Sequence, residues 1–156
     1  AGDAGQNMKH GITGSKQTPA ILLVDSITEV EAADQGKIVV SASHGGISSA
    51  RFTLEVPLAL VFFNDAGIGK DEAGIAALAM LEDSGVPAAC ISHNSARIGD
   101  AQDMWDHGRI SRVNQLAETA GIVVGEKLSL SALHFVSKSS TESDAQHSAH
   151  RNRKAP

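Results

Sequence analysis

The stretch from Leu58 to Leu81 constrains the fold more than any other part of the chain. Leu58-Ala59-Leu60-Val61-Phe62-Phe63 is a continuous apolar run ending in β-branched and aromatic residues, the composition of a strand buried on both faces. A polar loop from Asn64 to Asp71 follows, with glycines at 67 and 69. Ala73 to Leu81 is then apolar on nearly every side, which predicts a helix over 72–83 that must be covered from more than one direction. Strand, glycine loop and buried helix together make half of a parallel crossover unit. Ligands of such sheets settle beyond the carboxyl ends of the strands, so the loop 64–71 is where a site is expected.

The same alternation recurs along the chain. Strands are predicted at 20–24, 37–42 and 86–91, a short helix up to Glu55 before Pro57, and Gly85 closing the helix after the central strand. Residues 25–36 read as a polar connection containing a helical turn or an extended piece. A short helix is expected from Asp100, its cap, to His107, and a second one on the spacing of Ile110, Val113, Leu116, Ala117 and Ala120. Residues 122–136 read as a short extended piece followed by a helix. Residues 1–17 are read as a flexible arm and 137–156 as a flexible tail, leaving one domain over 18–136. In that tail His147 and His150 offer an anion or metal contact, with a solvated segment as the plain alternative. The fold class expected is α/β: a single three-layer domain whose mostly parallel sheet of roughly four to five strands carries helices on both faces.

Composition narrows the function. At 156 residues the chain can bury roughly 70% of its unfolded surface without a disulfide or structural metal. A net charge of −5 argues against nucleic acid as the partner, since phosphate binding needs a basic face. No apolar run approaches the length that spans a bilayer, so a membrane partner is not expected. The start of the chain lacks a basic-then-apolar leader pattern, and the lone Cys90 lies in the apolar run Val86–Ile91; a buried thiol in a cytoplasmic protein is the expectation.

Right-handed crossovers bring three loops to one edge of the predicted sheet: 43–49, 64–71 and 92–100. In the first, Ser43, Gly45, Gly46 and Ser48 surround His44. Glycines at a strand-to-helix turn let backbone N–H groups approach a phosphate or carboxylate, whereas a plain turn with Ser48 or Ser49 as helix cap needs no ligand. In the second, Asn64, Asp65, Lys70 and Asp71 lie close together. The phosphate-binding motifs fail there: Asn64 stands where a P-loop has glycine, Asp71 where it has Ser or Thr, and Glu72 where the dinucleotide fingerprint has its last glycine. Asp71 is expected to cap the helix, Lys70 to act as base or substrate contact, and Asp65 to orient it or act itself. The third loop supplies His93, Ser95 and Arg97, the last suited to gripping a carboxylate at two points.

Asp103 and His107 share a helix face and, with His44 or His93, make a conceivable but undiagnostic metal set, so no metal and no organic cofactor is assigned. The run Val40–His44 resembles, over those few residues, the site of phosphohistidine carriers of the sugar phosphotransferase type.

The function expected is a small cytoplasmic enzyme acting on a small anionic substrate, carboxylate- or amide-bearing. His44, Asp65, Lys70 and His93 carry acid–base chemistry, and hydrolysis of a C–N bond is favoured. Ser43, Gly45, Gly46, Ser48, Asn64, Ser95 and Arg97 are expected to hold the substrate. The alternatives are a non-catalytic module that binds a small anion, and a phosphoryl carrier through His44. A homo-oligomer is expected through helix 72–83, with Trp105 completing a neighbour's pocket.

Overall fold

The computed structural model describes residues 9–12 and 19–138; the tail histidines 147 and 150 lie outside them. Six strands form one sheet in simple chain order: β1 (Lys9–Ile12), β2 (Ile21–Val24), β3 (Ile38–His44), β4 (Leu60–Asn64), β5 (Ala88–Ile91) and β6 (Ile110–Val113). The four central strands are mutually parallel, while β1 and β6 add to the edges antiparallel. The sheet is therefore mixed and longer than the four to five strands expected. Both additional strands lie at edges, where one side lacks a neighbour and a continuous apolar run is not required.

Side chains alternate between the two faces, as the two-residue period of a strand dictates. Ile21, Leu23, Ile38, Val40, Leu60, Phe62, Ala89 and Ile91 belong to one apolar cluster, and Leu22, Val24, Val39, Val61, Phe63, Ala88 and Cys90 to the other. The second cluster is closed by Ile27, by Ala50 of α1 (Ile47–Leu54) and by Ala77, Leu78 and Leu81 of α2 (Ala77–Asp83). Sequential parallel neighbours joined by right-handed crossovers must place their connections on one side. The first cluster is closed by Ala101 and Met104 of α3 (Ala101–His107), Ala117 of α4 (Gln115–Thr119), and Leu128 and Ala132 of a helix over 128–138, here α5.

Four expectations need correction. Residues 110–113 are strand, not helix: Ile110 and Arg112 pair with β5, and the helix begins only after Asn114, whose side chain caps it by accepting from Ala117 N. The helix expected over 72–83 shrinks to α2, preceded by a 3-10 segment over Lys70–Ile75 in which Asp71 and Glu72 are left-handed. Asp71 is therefore no cap, and Ala76 stands at that position without a side-chain bond. Within the expected N-terminal arm, residues 9–12 form β1, fastened where Lys9 Nζ meets Asp34 at 2.9 Å. Trp105 is half-buried against the chain's own core.

Candidate functional site

The carboxyl ends of β3, β4 and β5 lie side by side, with His44 in register with Asn64 and Asn64 with Ile91. The three loops that leave them are tied to one another by hydrogen bonds. Asp65 N donates to Ile91 O at 2.8 Å, Gly45 N to Asn64 O at 3.0 Å and Gly99 N to Ala42 O at 2.9 Å. Asn64 is fully buried and serves this frame: its Nδ2 donates to Ala96 O at 3.1 Å and its Oδ1 accepts from Ala66 N at 2.8 Å. The expected substrate contact is thus a structural clamp.

Asp65 is the centre of the edge. Its side chain is only 5% exposed, and both carboxylate oxygens accept hydrogen bonds. Oδ1 accepts from Gly67 N at 2.9 Å, His93 N at 3.1 Å and His93 Nδ1 at 3.0 Å. Oδ2 accepts from the Ser111 hydroxyl at 2.7 Å. Burial pushes this carboxyl up, but the bonds from Ser111, Gly67 and His93 outweigh burial and hold it below the usual carboxylate range. A carboxylate can only accept, so His93 donates from Nδ1, and in the neutral ring the lone pair then lies on Nε2. The ring is 47% exposed and lies beside Gly67, where an added Cβ would stand 3.7 Å from Nε2. Nε2 has no hydrogen-bond partner among the described residues.

His44 has the complementary arrangement. Gly46 N donates to its Nδ1 at 3.0 Å, so the proton sits on Nε2 and the exposed ring presents a donor. The glycine turn itself is not an anion nest. Neither Gly45 nor Gly46 is left-handed, and their lack of a side chain answers to packing. A Cβ on Gly45 would meet Gly74 O and, at 2.8 Å, Cys90 Sγ; one on Gly46 would meet His44 Nδ1 at 2.6 Å.

A cleft of about 670 Å³ opens between the first two loops, lined by His44, Ile68, Lys70, Asp71, Ala73 and Ile98 among others. Its wall is the turn 66–69, in which Ala66, Gly67, Ile68 and Gly69 are all left-handed, a conformation that a β-branched residue such as Ile68 adopts only when its surroundings force it. The surroundings are tight. Gly74 packs directly against Asp65 O, and Ile68 N and Gly74 N close bonds of 2.6 Å to Asp65 O and Ile68 O.

The other expected contacts lie elsewhere. The Ser43 hydroxyl accepts from Ile27 N at 2.9 Å, and the Ser95 hydroxyl bridges Ser92 O and Arg109 N. Ser48 and Arg97 are exposed and do not line the cleft. Asp103 accepts from Arg97 N and His107 Nδ1, which hold it below the usual range. Among the described residues no three His, Cys, Asp or Glu side chains converge as a metal site, and no helix is long and apolar enough to cross a membrane. Cys90 is buried and its thiol is pushed up by that burial.

No protein-family model, curated protein or solved structure matches the chain. The site therefore has to be judged on its own chemistry. Sequence reading missed Ser111, because it fell within the expected helix 110–120. The alternation buried Ile110, half-buried Ser111, exposed Arg112 is that of an edge strand, and read so it places Ser111 one residue from the partner of Cys90.

Proposed function

We propose that this chain is a small enzyme of the cytoplasm that hydrolyses a C–N bond in a small carboxamide- or carboxylate-bearing substrate by general acid–base chemistry. The observation that carries the reading is the Asp65–His93 pair: a buried carboxylate that accepts four hydrogen bonds and holds the half-exposed His93 ring through Nδ1, which leaves Nε2 to act as base in the neutral ring. In this reading His93 takes a proton from water as its oxygen bonds to the carbonyl carbon. His44 Nε2–H supports the carbonyl oxygen. The C–N bond then breaks, and the proton held by His93 passes to the departing nitrogen. Lys70, at the cleft lip, is the counter-charge for an anionic group.

The test is ammonia release from a panel of primary amides of mono- and dicarboxylic acids. The wild-type chain is expected to release ammonia, and His93→Gln to be slower by about a hundredfold or more at an unchanged melting temperature. Equal release by both proteins would remove the reading.

A second reading, a non-catalytic small-anion module, is favoured by one observation. His93 is not among the residues that line the cleft, so a ligand held there meets His44 and Lys70 but must reach past Gly67 to meet His93. Phosphoryl transfer through His44 fits less well, because the bond from Gly46 places a proton on the nitrogen that would have to attack.

A further inference from the structure

We infer that the cleft takes a medium-length acyl compound, with an apolar tail seated between α1 and the 66–74 turn and a carboxamide or carboxylate head at the lip. The inference rests on the acid–base reading only for what is done to the head.

Three observations point to this ligand class. The first is where the large apolar side chains stand. Ile47 is 48% exposed and Ile98 is 52% exposed, and both line this cleft, Ile47 from the start of α1 and Ile98 from a loop, with Ile68 from the turn 66–69. Exposed isoleucines converging on one concavity mark an apolar occupant better than scattered ones do. The second is why the concavity exists. Gly46, Ala73, Gly74 and Ala76 line it with small side chains or none, and the two glycines are held side-chain-free by His44 and by the Asp65 carbonyl. No bulky group fills the space, and its volume lies in the range of small-molecule sites.

The third is the polar content of the lip. His44 offers Nε2–H, Lys70 an ammonium and Asp71 a carboxylate. Among the described residues neither Lys70 nor Asp71 makes an ion pair. A carbonyl oxygen suits the two donors, and an amide N–H suits Asp71. A carboxylate, the product of hydrolysing that amide, suits Lys70. An ammonium head cannot accept from the two donors and is repelled by Lys70, and a compact dianion has no tail for the apolar walls.

The experiment is titration of the full ¹⁵N-labelled chain with octanamide, octanoate, octylamine and succinate, following amide shifts of residues 44–47, 66–74 and 98. Octanamide and octanoate are expected to shift these amides saturably, and octylamine and succinate to bind at least about tenfold more weakly. Ala73→Phe fills the cleft from an exposed position and is expected to abolish both responses without changing the melting temperature. Lys70→Met is expected to weaken octanoate about tenfold and octanamide by less, since the amide carbonyl keeps the His44 donor and carries no charge to be neutralised. Succinate binding as tightly as octanoate, no response to either acyl probe at millimolar concentration, or responses that survive Ala73→Phe would each overturn the inference. Binding and turnover of the wild type together separate the two proposals: intact octanamide binding with no ammonia release leaves the cleft assignment standing and removes the catalytic one. Ammonia released from short amides with no acyl probe in the cleft does the reverse.

Discussion

Two buried polar residues hold more of this molecule than their size suggests. Asn114 satisfies all of its capacity away from water: Oδ1 accepts from Ala88 N and Ala117 N, while Nδ2 donates to Leu78 O and Val86 O. It ties α2, β5 and α4 together through one side chain. Asn114→Ala strands all four groups, and chemical denaturation is expected to show a loss of about 3 kcal/mol. Asp34 does the same at the other edge, where Lys9 and Lys37 meet it at 2.9 and 2.8 Å. Burial pushes its carboxyl up, but Lys37, Glu31 N–H and Lys9 together bring it down to about 2 from an ordinary 3.8. A depressed carboxyl stabilises the fold in full above its unfolded value and loses that contribution as the pH falls towards its folded value. For Asp34 the window runs from about 4 down to about 2, and the contribution is on the order of 2 kcal/mol. Urea unfolding at pH 6 should separate wild type from Asp34→Asn by that amount, and the gap should narrow at pH 2.5. A gap independent of pH would show that the lysines are not its source.

At the scale of elements, the crossing of the β3–α1 and β4–α2 connections decides the shape of the site. Gly45 and Gly74 meet there with Cys90 beneath, so the two loops approach at backbone distance and the segment before α2 coils into left-handed turns instead of helix. This makes a contrast between two glycines. Gly45 is not left-handed but has no room for a side chain, whereas Gly69 is left-handed at φ 74° with nothing within 4 Å of an added Cβ. Gly45→Ala is expected to cost about 3 kcal/mol through overpacking against backbone, and Gly69→Ala about 2 kcal/mol of conformational strain, since φ 74° with ψ −169° is a region that glycine alone populates. Melting temperatures of the two variants measure this directly, and the reverse order would mean that the crossing is looser than described.

For the whole molecule, the shortening of α2 bears on assembly. The expected dimer drew on a helix that was apolar all round, but Ala77, Leu78 and Leu81 are covered by the sheet and α1, and Ile75 and Met80 pack against the same cluster. Ala79 is the residue of α2 left outward and apolar. Ala79→Glu is therefore expected to leave the sedimentation mass and the melting temperature unchanged, the latter within about 0.5 kcal/mol of stability. Conversion of an oligomer to a monomer by that substitution would instead support the pairing through residues 72–83. The sequence by itself determined the parallel centre of the sheet and the edge at which three loops meet. Those follow from short-range rules: apolar runs of strand length at 21–24, 38–42, 60–63 and 88–91, and Gly85 with its positive φ closing α2. Only the tertiary structure decided the edge strands, the left-handed turn and the partners of Asp65, Asn64 and Asn114. An edge strand needs only one neighbour and so carries a weak pattern. The bond from Ser111 to Asp65 spans 46 residues and that from Asn114 to Leu78 spans 36, so the residues that met were set by where the strands came to rest and not by any local preference of the chain.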